Sequence, residues 1–149
     1  MQQKGVKHLL YAYSPGTEPN NTAEYLERYP GDDIIDLIGF DTDQFDRREY
    51  LNNMEKALTI LTEVGQSHDK PTAITETGYE AVPDSTWWTE TLMPVISKYP
   101  ISYVLVWRNA HERPNHYYAP YPGQTSASDF VKFYADPRTL LVRDMKTKK

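Results

Sequence analysis

Glu76 closes a short run, Pro71-Thr72-Ala73-Ile74-Thr75-Glu76-Thr77-Gly78, and is the first residue in the chain placed to do chemistry. Thr72, Ala73, Ile74 and Thr75 are compact or β-branched and suit an enclosed strand, which Pro71 and Gly78 bound on either side. Alternation along a strand predicts that Thr72, Ile74 and Glu76 share one face. A carboxylate at the end of such a face costs free energy unless it has hydrogen-bond partners or a task. Taken singly, Glu76 reads first as a structural acid satisfied by hydrogen bonds. Three other apolar runs end alike, however: residues 9–13 at Tyr13, residues 34–40 at Asp41, and residues 101–107 at Trp107 with Arg108 behind it. Two acids, an arginine and aromatics at four corresponding strand ends predict a polar, aromatic-lined pocket.

The elements between these runs are helical. A short helix is predicted over residues 23–28, capped by Asn21 or Thr22. Residues 47–64 place Leu51, Met54, Leu58 and Leu61 at spacings of three and four, with Gly65 as the expected terminator. Asp84 or Ser85 caps a third helix through Trp87, Trp88 and Leu92, and Pro94 is expected to kink or split it. Ser126 with Asp129 resembles a capping box for a last helix through Phe130 and Phe133, stopped at Asp136-Pro137. The inner face of the second strand is predicted to carry Leu37, Gly39 and Asp41. Strand, helix, four times over, argues for parallel strands with helical crossovers. Strand centres near residues 11, 38, 74 and 105 are spaced by about 27, 36 and 31 residues, close to the ~31 per unit of an eight-fold barrel.

Composition narrows the classes. The 149 residues suffice for one domain, residues 1–149. A net charge of -5, with no basic block except Lys146-Thr147-Lys148-Lys149, argues against a nucleic-acid partner. No apolar run approaches a membrane span, and Met1-Gln2-Gln3-Lys4-Gly5 has no signal-peptide character. The absence of cysteine removes disulfides, thiolate metal sites and a Cys nucleophile. His111-Glu112-Arg113-Pro114-Asn115-His116 lacks zinc-peptidase spacing, and Pro114 disfavours the helix that would align its ligands. His8 and His68 read as surface residues. No metal and no cofactor is expected. Twelve Tyr and three Trp supply flat faces suited to cores and sugar platforms alike.

The chain resembles the C-terminal half of a glycoside hydrolase family 26 enzyme, the β-mannanase family. The matching stretches are Leu9-Leu10-Tyr11-Ala12-Tyr13-Ser14-Pro15, Tyr29-Pro30-Gly31-Asp32, Ile38-Gly39-Phe40-Asp41, Thr75-Glu76-Thr77-Gly78, Trp87-Trp88-Thr89 and Val106-Trp107-Arg108-Asn109-Ala110. They run in family order and span nearly the whole chain. The resemblance implies an α/β fold of the (β/α)8 TIM-barrel type, represented by its last four βα units, strands five to eight. It implies Glu76 as catalytic nucleophile, and Asp41, Trp107 and Arg108 as substrate contacts, with Tyr13 lining the same pocket. It implies a retaining endo-β-mannanase acting on β-mannan or manno-oligosaccharides, in which one carboxylate attacks the anomeric carbon and a second protonates the leaving oxygen. A periplasmic or extracellular location follows from the same resemblance.

Two departures stand out. The family's acid/base glutamate, preceded by a histidine, belongs to the fourth strand, which would lie upstream of Met1. Asp41 reads as a hydroxyl acceptor and Glu80 and Glu112 as solvated loop acids, so none is the expected substitute. Where the family usually has a tyrosine hydrogen-bonded to the nucleophile, this chain has Asp43, an acid expected to raise the Glu76 pKa. Two alternatives therefore stand beside the hydrolase: a non-catalytic carbohydrate-binding half-barrel, or an inactive truncated piece. Half a barrel leaves two sheet edges open, so the expected partner is the other half-barrel or a second copy of the chain.

Overall fold

The computed structural model describes residues 8–145. Their order is β1 (Ala12–Tyr13), α1 (Thr22–Leu26), β2 (Leu37–Asp43), α2 (Arg47–His68), β3 (Thr72–Gly78), a π-helical segment (Trp87–Leu92) running into α3 (Met93–Ile96), β4 (Val104–Val106), α4 (Ala127–Ala135) and α5 (Val142–Met145). The four strands form one parallel sheet in the order β1-β2-β3-β4. A doubly wound sheet reverses strand order at a switch point, whereas a (β/α)8 barrel adds each strand beside the last. The strictly sequential order is therefore an arc of four barrel units.

The predicted elements hold, with shifted ends. Gly31 takes the N–H groups of Ile34 and Ile35 on its carbonyl, which keeps both residues in a turn, so β2 starts at Leu37 and runs past Asp41 to Asp43. Asn21, whose side chain accepts from the Glu24 N–H, is the α1 cap. Gly65 does not end α2. The helix continues to His68, and Asp69 closes it in a left-handed conformation at φ 52°. Gly65 serves a close approach instead, since a Cβ there would lie 2.6 Å from Thr72 Cγ2. His68 is half-buried rather than on the surface: Nδ1 lies 3.0 Å from Asp32 Oδ1 and the ring meets Tyr29 edge-on.

Pro94 splits the third helix as its chemistry requires. Proline has no N–H to bond the carbonyl four residues back, and that carbonyl, of Glu90, accepts from Arg47 Nη2 at 3.0 Å. The turn before it widens to π geometry. This seats Trp87 and Trp88 fully inside, edge to face at 4.8 Å. Ser126 and Asp129 do not form the expected capping box. Both are buried and hold the π segment: Trp88 Nε1 donates to Ser126 Oγ, and Thr89 donates to Asp129 through its N–H and its hydroxyl.

The core lies between the sheet and its helices, built on Ile38, Phe40, Ile74, Tyr50, Met54 and Leu58. The opposite face of β2 is tight at Gly39. A Cβ there would stand 2.5 Å from Thr75 Cγ2 and 2.8 Å from the Ala73 carbonyl oxygen, and the carbonyl belongs to backbone that cannot step aside. Gly39→Ala is expected to destabilise by about 1–3 kcal/mol despite alanine's better strand propensity. A urea midpoint at or above that of the unmodified chain would show that the strands can part there. Among the described residues, no helix is long and apolar enough to cross a membrane.

Candidate active site

The two acids are brought together by a break in the β2–β3 register. Phe40 pairs with Ile74, but the next pair is Asp41 with Glu76, leaving Thr75 as an extra residue in β3. Bulges of this kind re-aim side chains. Thr72 packs against Gly65 of α2, and Thr77 hydrogen-bonds the α2 residue Tyr50 at 2.8 Å. These residues face the helices, together with Ile74 in the core. Glu76, adjacent to Thr77, therefore lies on the other face with Asp41 and Asp43. The expectation that Thr72, Ile74 and Glu76 share a face is overturned by that one inserted residue. The extra Thr75 is itself held, its hydroxyl donating to the Phe40 carbonyl and contacting the Ser14 hydroxyl.

Asp41, Asp43 and Glu76 form an acidic group at the C-terminal end of the sheet. Burial raises the Glu76 carboxyl above its usual range, with the Asp41 charge second. Asp41 is raised by burial and by the Glu18 carboxylate. Asp43 is affected most. Burial and the charges of Glu76, Asp41 and Glu80 push it to about 6, against an opposing pull from His116. The charges of Asp43 and Glu76 act on each other, and Asp41 acts on both.

The β4 end completes the rim. The Trp107 N–H donates to the Thr77 carbonyl at 2.9 Å, so its half-buried ring follows directly on the strand beside Glu76. Arg108 is exposed and paired with Glu112 at 3.0 Å. Beyond it the loop folds back on β3. Asn109 Oδ1 accepts from the N–H groups of Tyr118 and Ala119, His116 Nδ1 lies 2.6 Å from Glu80 Oε1, and the Tyr118 ring rests where a Cβ on Gly78 would be. Tyr118 is raised by burial and by Asp43, Glu80 and Glu76. Glu80 is thus held by His116 and Glu112 by Arg108, both in the loops. His116 and Tyr118 belong to the site although the sequence did not single out their roles, as does Gln44, whose N–H donates to the Gly78 carbonyl at 2.7 Å; the usable signal was Gly78, whose missing side chain admits the Tyr118 ring.

Tyr13 stands apart from the acids. Its hydroxyl donates to the Tyr25 carbonyl at 2.9 Å, and its ring meets Tyr25 and Tyr29 edge-on. It is anchored in the packing of α1. The histidines of the β4 loop also divide: His111 is exposed, 3.5 Å from Glu112, while His116 pairs with Glu80. Among the described residues, no group of three or more His, Cys, Asp or Glu side chains could hold a metal ion.

Asp41, Glu76, Trp107 and Arg108 thus come from three neighbouring strands at one end of a parallel arc. The family model for glycosyl hydrolase family 26 matches residues 1–118. The chain belongs to that family. A solved GH26 β-mannanase from Bacteroides ovatus is 64% identical and superposes with a TM-score of 0.94 over 96% of this chain and 42% of its own. An endo-β-1,4-mannanase double mutant from Cellulomonas fimi is 31% identical, with a TM-score of 0.80 over 93% of this chain and 33% of its own. A mannan endo-1,4-β-mannosidase from Bifidobacterium adolescentis is 26% identical over 93% of this chain and 16% of its own length. The chain therefore spans less than half the length of each.

Proposed function

We propose that these residues form the nucleophile-bearing half of a retaining endo-β-1,4-mannanase. Glu76 would attack the anomeric carbon, Asp41 would accept a sugar hydroxyl, and Trp107 and Arg108 would line the cleavage subsite. The carrying observation is the β3 bulge, which turns Glu76 to the face of Asp41 at the C-terminal end of the sheet, where barrels of this type keep their active sites. The names of the B. ovatus and C. fimi relatives support mannan as substrate.

A retaining mechanism needs a second carboxyl about 5–5.5 Å from the nucleophile to protonate the leaving oxygen. Asp41 and Asp43 share the face of Glu76, and burial raises both, with neighbouring acid charge second. In this reading Asp41 serves as a hydroxyl acceptor and the acid/base comes from the rest of the barrel. The remainder of the barrel would cover the two sheet edges, β1 and β4, beside which Leu9, Leu10, Tyr103 and Leu105 are exposed.

The test is stereochemical. Manno-oligosaccharide hydrolysis by a chain containing both halves should release the β-anomer first, followed by proton NMR before mutarotation. Initial release of the α-anomer would exclude Glu76 as a covalent nucleophile. A second reading, a sugar-binding arc without turnover, is favoured by Asp43 beside the nucleophile position. Manno-oligosaccharide quenching of tryptophan fluorescence in this chain, with no hydrolysis by the two-half enzyme, would select it.

A further inference from the structure

We propose that Asp43 is the proton-keeping partner of Glu76: its half-buried carboxyl stays neutral so that Glu76 alone carries the negative charge of the pair. The proposal rests on the reading of Glu76 as the reacting carboxylate. It starts from geometry. Asp43 follows Asp41 on the same face of β2 and pairs in register with Gly78, two residues beyond Glu76. Its Oδ1 is buried and has no hydrogen-bond partner. A buried carboxylate oxygen with no donor is costly as an anion, but a protonated carboxyl loses much less there.

The acids around it favour the neutral form. Asp41 lies on its own strand, Glu76 on β3, and Glu80 in the loop after β3. Tyr50 of α2 and Tyr118 of the β4 loop also face Asp43, and as neutral phenols neither supplies a positive charge. His116 is the one cation-forming group that opposes the acids, and it is already engaged by Glu80 at 2.6 Å. Two close carboxyls cannot both ionise freely, so one gives up its proton first. The order follows from an asymmetry. Asp43 Oδ1 is enclosed without a donor, whereas no Glu76 oxygen is both buried and unpartnered. Glu76 therefore ionises while Asp43 is still neutral. As a neutral acid Asp43 is also an O–H donor on the face of Glu76, available directly or through a water.

Carbon-detected NMR titration of the side-chain carboxyls in this chain tests the pair without reference to turnover. Asp43 should titrate at about 6, and Glu76 at lower pH. Glu76→Gln removes the neighbouring charge and should weaken the hold of Asp43 on its proton about tenfold, while Asp43→Asn should leave the Glu76 midpoint in place. The protonated-carboxyl infrared band at pH 5 should lose intensity in Asp43→Asn, a readout that tolerates self-association. An Asp43 midpoint near the ordinary 3.8, or one indifferent to Glu76→Gln, overturns the proposal. In the two-half enzyme, activity should fall as Asp43 ionises, and Asp43→Asn, with a permanent amide donor, should move that limb to higher pH. Coupled carboxyls together with an active Glu76→Gln enzyme would refute the nucleophile reading alone. Uncoupled carboxyls with an inactive Glu76→Gln enzyme would refute the proton-keeping role alone.

Discussion

Glu76→Gln should lower kcat on manno-oligosaccharides by about 10⁴-fold or more, with KM changed far less, in an enzyme that also carries the acid/base carboxyl. Losses of that order accompany removal of a covalent nucleophile. The amide keeps the size and hydrogen-bonding reach of the side chain, so the loss reports nucleophilicity rather than packing. Asp41→Asn removes a charge but not the attacking atom, and its loss should be smaller, about 10–10²-fold. Glu76→Ala supplies a second, positive test. The missing side chain leaves room on the attacked face, and added azide can enter there. It would form the C1–N bond as the glycosidic C1–O bond breaks and the acid/base protonates the leaving oxygen. The product should be the α-glycosyl azide, because azide approaches from the side Glu76 occupied. Restoration of turnover with a β-azide product would place the nucleophile elsewhere.

The four-unit order of the chain was readable because strand ends and helical spacing are local signals. Leu51, Met54, Leu58 and Leu61 mark α2 without help from the rest of the fold, and three of them are fully buried. Pro94 announced the break in the third helix from its missing N–H alone. What could not be read was anything set by a neighbour. The face of Glu76 was misjudged because a bulge is decided by the pairing of β3 with β2, and no single residue of Thr72–Gly78 announces it. Gly65 looked like a helix end because glycine commonly is one; its purpose is the approach of Thr72 from another element. Ser126 and Asp129 had the spacing of a cap, yet their partners, Trp88 and Thr89, lie about 40 residues away in sequence. Tyr13 stood at a strand end like the others, and only the packing of α1 removes it from the acids.

The same contrast bears on Trp87, which is wholly buried and fixes the end of β2. Its ring lies edge-on to Trp88 and is tilted over Tyr50 at 6.4 Å. Its Nε1 donates to Gln44 Oε1 at 2.9 Å, and Gln44 in turn donates its backbone N–H to the Gly78 carbonyl at 2.7 Å. Gln44 follows Asp43 directly, so this chain of contacts clamps the tips of β2 and β3 beside Glu76. Trp87→Ala should cost about 3–5 kcal/mol, from lost transfer energy and an incompletely collapsed cavity. That is a large share of the stability of an ordinary domain, and a urea melt should read it as a large fall in midpoint. Trp87→Phe keeps most of the packing but strands the buried Gln44 oxygen, at a cost of about 1–3 kcal/mol. Adding Gln44→Leu to Trp87→Phe removes the stranded oxygen and should recover part of that loss. If Trp87→Phe is as stable as the unmodified chain, the Gln44 contact is not what holds β2 in place, and the bulge alone must position Glu76 against Asp41 and Asp43.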